Sequence, residues 1–240
     1  TDQKGPPMTL PAATRIDPAA STQDWDEARN LMVDDQLRPS EISNPRVLKA
    51  MRLLARQACV PTAQQALAYA DVSLPLGGDR VLLQPLLTAR RWQAANPLPG
   101  QHALVVGAGT GYSAALLASL GLTVTAVESD TALCKQGQDF CAALPAVHWV
   151  CGSLQQGDET RAPYDLIYFD GAITALPTFC HTQLAAGGRV VGLIHKAGDL
   201  SELFVATAAT GGADGFILTR LSEARCPLLP EFTPTRSFAL

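Results

Sequence analysis

A chain of 240 residues, 47% hydrophobic and 17% charged, carries enough apolar side chain to bury one sizeable core. Its net charge of −4 and its scattered basic residues argue against a nucleic-acid surface, and no stretch reaches the run of about 18 apolar residues that a membrane span needs. Six cysteines, Cys59, Cys134, Cys141, Cys151, Cys180 and Cys226, show no C-x-x-C and no Cys/His spacing for zinc. No metal site is expected, and the cysteines read as reduced core residues of a cytoplasmic protein.

Residues 1–23 hold Gly5-Pro6-Pro7, Pro11 and Pro18 among small polar residues, and read as a flexible leader without a signal peptide's apolar core. Asp24-Trp25-Asp26-Glu27 opens a helix with acids in its first turn, and Ala28, Leu31, Met32 and Leu37 give it an apolar side until Arg38-Pro39. Asn44 as N-cap and Pro45 at the first helical position start a second helix, in which Val47, Leu48, Met51, Leu54 and Ala55 recur at helical spacing. After Ala68-Tyr69-Ala70-Asp71, the stretch Leu74-Pro75-Leu76-Gly77-Gly78-Asp79-Arg80 reads as a loop, because two glycines follow a proline. Such a loop, leading into a nucleotide-binding domain, often carries substrate contacts. A helix over 85–95 ends this prelude before Asn96-Pro97.

Ala103-Leu104-Val105-Val106 is too short and too apolar for a surface strand, which places it at the centre of a parallel sheet. Gly107-Ala108-Gly109-Thr110-Gly111-Tyr112 follows, then a helix from Ser113. Glycine lets the chain reverse with positive φ and lets a ligand approach the backbone. The spacing is G-x-G-x-G, with Tyr112 where a dinucleotide fingerprint would have its third small residue. It is the form found in S-adenosylmethionine (SAM) methyltransferases. Glu128, ending the β-rich run Thr123-Val124-Thr125-Ala126-Val127, can accept both hydroxyls of a ribose.

Beyond it come a helix over 130–144, a strand at Val147-His148-Trp149-Val150, and a strand at Leu166-Ile167-Tyr168-Phe169 that ends at Asp170-Gly171-Ala172. A helix over 176–184 stops at Gly187-Gly188, and Arg189-Val190-Val191-Gly192-Leu193-Ile194 is the fifth strand. Short connections and right-handed crossovers make this a Rossmann-like α/β fold. Leu203-Phe204-Val205-Ala206 and Phe216-Ile217-Leu218-Thr219, separated by Gly211-Gly212-Ala213-Asp214-Gly215, read as an antiparallel hairpin closing the parallel sheet. One domain over 24–240 is expected, with a helical prelude and substrate loop at 24–97 and the core at 98–240. Asp170 and His195 stand at carboxyl ends of strands, where sites in such sheets are built.

The ordered motifs Met32-Val33-Asp34-Asp35-Gln36-Leu37, Ala68-Tyr69-Ala70-Asp71, Leu74-Pro75-Leu76-Gly77, Gly109-Thr110-Gly111-Tyr112-Ser113-Ala114, Pro163-Tyr164-Asp165 and Gln183-Leu184-Ala185-Ala186-Gly187-Gly188-Arg189 resemble the protein-L-isoaspartate O-methyltransferase family. The resemblance implies a class I methyltransferase fold, SAM as cofactor, and methylation of the side-chain carboxylate of L-isoaspartyl residues in damaged proteins or peptides. On it, Gly107, Gly109 and Gly111 pass under the methionine part of SAM, Glu128 takes the ribose, and Gly152, Ser153 and Leu154 border the adenine. Tyr69, Asp71, Leu76 and Gly77 lie over the substrate with Leu83 beside the acceptor, and Tyr69, Asp71 and Asp170 are the candidate catalytic residues.

Two stretches depart from the family pattern. Val81-Leu82-Leu83 replaces a Thr-Ile-Ser-type segment and removes both hydroxyls beside the acceptor. Ser153 replaces an acid at the adenine edge, an expected loss of about 0.5–1.5 kcal/mol in cofactor binding. The alternatives are a methyltransferase with a different, more apolar acceptor and a protein that binds SAM or S-adenosylhomocysteine (SAH) without transfer.

Overall fold

The computed structural model describes residues 24–198, 200–209 and 215–232. The leader expected over 1–23 and most of the turn expected at 211–215 lie outside the described residues.

The prelude begins at α1, Trp25–Leu31, where the Asp24 side chain accepts from the Asp26 and Glu27 N–H groups. It continues into a π-helical stretch, Met32–Leu37, that buries Met32, Val33 and Leu37. In α2, Pro45–Leu53, Asn44 caps the Arg46 and Val47 N–H groups. The helix α3, Pro85–Ala95, ends on Asn96 in the left-handed region.

The loop expected between them is corrected: β1, Leu74–Gly77, and β2, Arg80–Leu82, form an antiparallel hairpin. Leu74 and Leu76 face inward while Pro75 and Gly77 face out, a period of two too short to register beside a proline. Gly77 and Gly78, at φ of 112° and 55°, supply the turn.

The main sheet holds β3 (His102–Val106), β4 (Thr123–Glu128), β5 (Val147–Cys151), β6 (Tyr164–Ile173), β7 (Leu184–Ala197), β8 (Leu200–Ala208) and β9 (Phe216–Arg225). Its order is β5-β4-β3-β6-β7-β8-β9. Pairing is parallel from β5 to β7, and β8 and β9 are added antiparallel. The parallel α/β sheet with an antiparallel closure is therefore the fold expected from the alternation of elements. Central β3 is buried on both faces. Ala103 and Val105 share a cluster with Met51, Leu87 and Trp92 of the prelude, whereas Leu104 and Val106 pack with Phe169 and Phe179.

Three helices flank this sheet after β3: α4 (Tyr112–Ser119), α5 (Thr131–Phe140) and α6 (Phe179–Gln183). The last two are shorter than expected. Cys141, at φ of −90° and ψ of 6°, is the C-cap of α5, and Thr178 is the N-cap of α6. Leu184 already pairs with Tyr164, so the residues before Gly187-Gly188 belong to β7.

The reading of all six cysteines as thiols is also corrected, because Cys134 of α5 and Cys151 of β5 form a disulfide with Cα atoms 5.9 Å apart. Neither residue stands in a motif that would reveal the pairing. Cys59, Cys141, Cys180 and Cys226 are free and buried. Burial pushes the Cys141 thiol up to about 11 and those of Cys180 and Cys226 to about 12, which makes them poor nucleophiles. Among the described residues no helix is long and apolar enough to cross a membrane, and no cluster of His, Cys, Asp and Glu could hold a metal ion.

Candidate active site

The strand order reverses direction at β3, with β4 on one side and β6 on the other, so a crevice opens beyond their carboxyl ends. The glycine turn fills its floor. Gly107, Gly109 and Gly111 take φ of 76°, 56° and 91°, and the Gly107 and Ala108 N–H groups donate to the Val127 carbonyl at 2.9 and 3.0 Å. The three glycines do different work. A Cβ on Gly111 would stand 3.0 Å from the Trp149 ring and 3.1 Å from the Cys141 sulfur, so the third glycine admits close packing behind the turn. Gly107 and Gly109 face the crevice.

Glu128 ends β4 fully buried, and four hydrogen bonds satisfy it. The Arg80 Nη1 donates to both carboxylate oxygens at 2.6 and 2.7 Å, the Gly109 N–H donates at 2.6 Å and the Asp130 N–H at 3.0 Å. Arg80 also donates through Nη2 to the Gly107 carbonyl at 2.7 Å. At the other edge the Gly152 N–H bonds to the Glu128 carbonyl. The Ser153 hydroxyl donates to Glu231 at 2.5 Å, and the Leu154 N–H reaches the same carboxylate at 3.1 Å while its side chain sits in the core.

Asp170 sits where the β6–β7 register slips, a bulge that re-aims its side chain. It pairs with Arg91 at 3.1 Å. Arg91 is buried, donates to the Phe169 carbonyl, and lies 4.4 Å from the centre of the Tyr168 ring. Asp170, Leu83, Val81, Arg80 and Leu229 line one cavity of about 10 Å³, the lower limit for one water. Leu76 extends to 3.5 Å from where a Gly109 Cβ would be, and Gly77 is exposed at the hairpin turn.

Other expected residues stand apart from this cluster. The Tyr69 hydroxyl donates to Gln57, its carbonyl accepts from Gln36 at 3.0 Å, and its ring lies 6.1 Å from Trp25. Asp71 accepts the Leu86 N–H at 2.9 Å and so caps the start of α3. His195 lies on β7 facing Ser201, and its Nδ1 has no hydrogen-bond partner among the described residues. Sequence reasoning assigned no role to Arg80, Leu229 or Glu231, although Arg80 ends the stretch read as a substrate-contacting loop. Their partners lie far along the chain, and no local pattern marks the pairing.

In kind, these groups suit a nucleoside bearing an amino-acid tail: a left-handed glycine turn, a carboxylate at a strand end, and an N–H and a hydroxyl at the far edge. In this structure the chain's own side chains hold each of them.

Comparison with known proteins bears on the family and the fold. The family described as Protein-L-isoaspartate(D-aspartate) O-methyltransferase matches residues 27–210. A protein-L-isoaspartate O-methyltransferase from Methylorubrum populi is 40% identical over 69% of this chain and 79% of its own length. One from Methanospirillum hungatei is 33% identical over 82% of this chain and 90% of its own. Among solved structures, a protein-L-isoaspartate O-methyltransferase overlays with a TM-score of 0.72 at 24% identity, over 82% of this chain and 64% of that one. A putative protein-L-isoaspartate O-methyltransferase from Plasmodium falciparum, solved with SAH, overlays at 0.70 with 17% identity, over 82% and 96%. At those identities the two structures speak for the fold alone.

Proposed function

The chain belongs to the protein-L-isoaspartate O-methyltransferase family of SAM-dependent methyltransferases, and we propose that its acceptor is the side-chain carboxylate of an L-isoaspartyl residue in a damaged protein or peptide. The match over 27–210, which spans the β1–β2 hairpin, the glycine turn and the tip of β6, carries this reading.

The acceptor chemistry asks little of the protein beyond placement. A carboxylate is ionised at neutral pH, so no residue need take a proton. An in-line displacement gains most of its rate from holding donor and acceptor at near-attack distance. Bound SAM supplies a methyl group on a sulfonium. Gly107 and Gly109 would hold its amino-acid part, Glu128 its ribose hydroxyls, and Ser153 with the Leu154 N–H its base. Toward the acceptor, Arg91 offsets the charge of Asp170, so the wall at the tip of β6 does not repel a second carboxylate. Val81 and Leu83 give that wall an apolar lining.

A second reading, a more apolar acceptor, is favoured by the same Val81 and Leu83 where hydroxyls would stand. Incubation with labelled SAM and paired isoaspartyl and aspartyl peptides decides between them. A base-labile methyl ester on the isoaspartyl peptide alone is the expected result. Transfer to apolar carboxylates, with none to that peptide, moves the assignment to the second reading. Residence in the cytoplasm belongs to the same proposal; the four free buried thiols favour it, and the Cys134–Cys151 disulfide weighs against it. So does a single domain over 24–240, supported by the core that the prelude shares with β3.

A further inference from the structure

We propose that Arg80 and the segment 229–232 form an intramolecular plug in the SAM site, so that cofactor binding and the seated plug exclude each other. The inference rests on SAM as the cofactor and is independent of the acceptor.

Three contacts seat the plug, one in each part of the site. Arg80, only 6% exposed, takes both oxygens of the buried Glu128 and the carbonyl of Gly107. These are charge-assisted bonds in a site closed to water, and a carboxylate so engaged has no lone pair in place for ribose hydroxyls. Leu229 fills the floor. Its methyl carbons lie 2.8 Å from an ideal Cβ on Gly107 and 2.5 Å from one on Gly171, so it rests against the bare backbone that the missing side chains leave open. Glu231 closes the far edge by accepting from the Ser153 hydroxyl and the Leu154 N–H, the donors expected to meet the base. Phe232 packs edge-on to Phe169, with centroids 5.8 Å apart.

The two carriers of the plug have few backbone bonds to the main sheet and are held mostly by side-chain contacts. Arg80 starts β2 of a two-stranded hairpin that is not part of the main sheet, and it follows two exposed left-handed glycines. The 226–232 segment holds to β6 by one isolated bridge, Ala172 with Leu228, flanked by Leu229 N–H to Ala172 carbonyl at 2.8 Å and Ala172 N–H to Pro227 carbonyl at 3.2 Å. Release breaks few ladder bonds, and a bound cofactor would replace the plug's contacts to Glu128, Gly107 and Leu154 with its own. Opening also removes a like charge, since the Arg80 guanidinium and a sulfonium would otherwise share the Gly107 cradle. The apparent affinity for cofactor then equals the intrinsic affinity scaled by the fraction of molecules with the plug out.

The test is calorimetric titration of SAH into the full chain and into Arg80→Ala, Leu229→Ala and Glu231→Ala, with hydrogen exchange of the Leu229 amide read with and without saturating SAH. The expected result is at least tenfold tighter binding by the folded variants and faster exchange at Leu229 in the SAH complex. Equal affinity across the full chain and the variants overturns the plug, as does unchanged or slower exchange at Leu229. Absence of SAH binding by every variant overturns it too. Plug-dependent binding with no methylation of an isoaspartyl peptide removes the proposed acceptor and keeps the plug, and the converse pattern removes only the plug.

Discussion

Leu83 shows how one side chain sets both a stability and an activity. It is buried beside Asp170, and its carbonyl holds the Arg56 guanidinium at 2.5 Å. Leu83→Ser removes apolar contacts and buries a hydroxyl, at a cost of about 2–4 kcal/mol in chemical denaturation. It also restores a hydroxyl where the family pattern has one, so the initial rate on an isoaspartyl peptide should rise. A rate that falls only in proportion to the folded fraction would show that a hydroxyl at this position contributes nothing to transfer. The glycine turn and Glu128 were legible because their chemistry is local: positive φ and a carboxylate at a strand end leave a mark within a few residues. Arg80 and Glu231 left none. Their partners Glu128 and Ser153 are 48 and 78 residues away, and an arginine after Gly-Gly-Asp looks like any solvated turn residue.

Asp71 shows what an element can ask of a residue that a motif marks as catalytic. Its carboxylate is the N-terminal cap of α3, which Pro85 starts and Gln84 leaves without a side-chain cap. Asp71→Ala should therefore lower stability by about 1 kcal/mol, whereas Asp71→Asn keeps the accepting oxygen and most of the stability. Methyl transfer separates the roles: if Asp71 only caps the helix, the asparagine variant retains its rate, and a loss of rate at full stability would give the carboxylate a direct part. Capped helices and the β/α alternation were readable because a cap or an apolar run spans few residues. The β1–β2 hairpin was not, since Leu74–Gly77 and Arg80–Leu82 are too short to display a period and the turn glycines dominate them. The end of α6 depends on a tertiary partner, Tyr164 pairing with Leu184, which no short window on the sequence contains.

Across the whole molecule, the sheet separates a site at one end from a titrating group at the other. His102 starts β3, about 13 Å of strand from Val106 at the glycine turn. Its ring meets Tyr164 at 4.6 Å and approaches the Thr125 hydroxyl at 3.5 Å. Burial holds its pKa below the ordinary histidine value, against the Pro163 backbone, Asp165 and Asp158, which favour the charged ring, and with Arg161, which opposes it. The unfolded chain therefore takes up a proton at about 6.5, while the native chain does so only at lower pH. Between those values the unfolded state holds more protons, and stability rises with pH. Stability from this residue is complete above about 6.5 and is lost as the pH falls toward the folded value. Asp158 and Glu231 have lowered pKa values and act in the more acidic carboxylate range, so they leave this window clear. Denaturation at pH 7.5 and 5.5 should then show a less stable protein at the lower pH, and His102→Gln should flatten the difference. Because His102 and the crevice lie at opposite ends of β3, SAH affinity measured on the folded protein should not follow that slope. An affinity that tracked it would mean that the two ends of the strand open together.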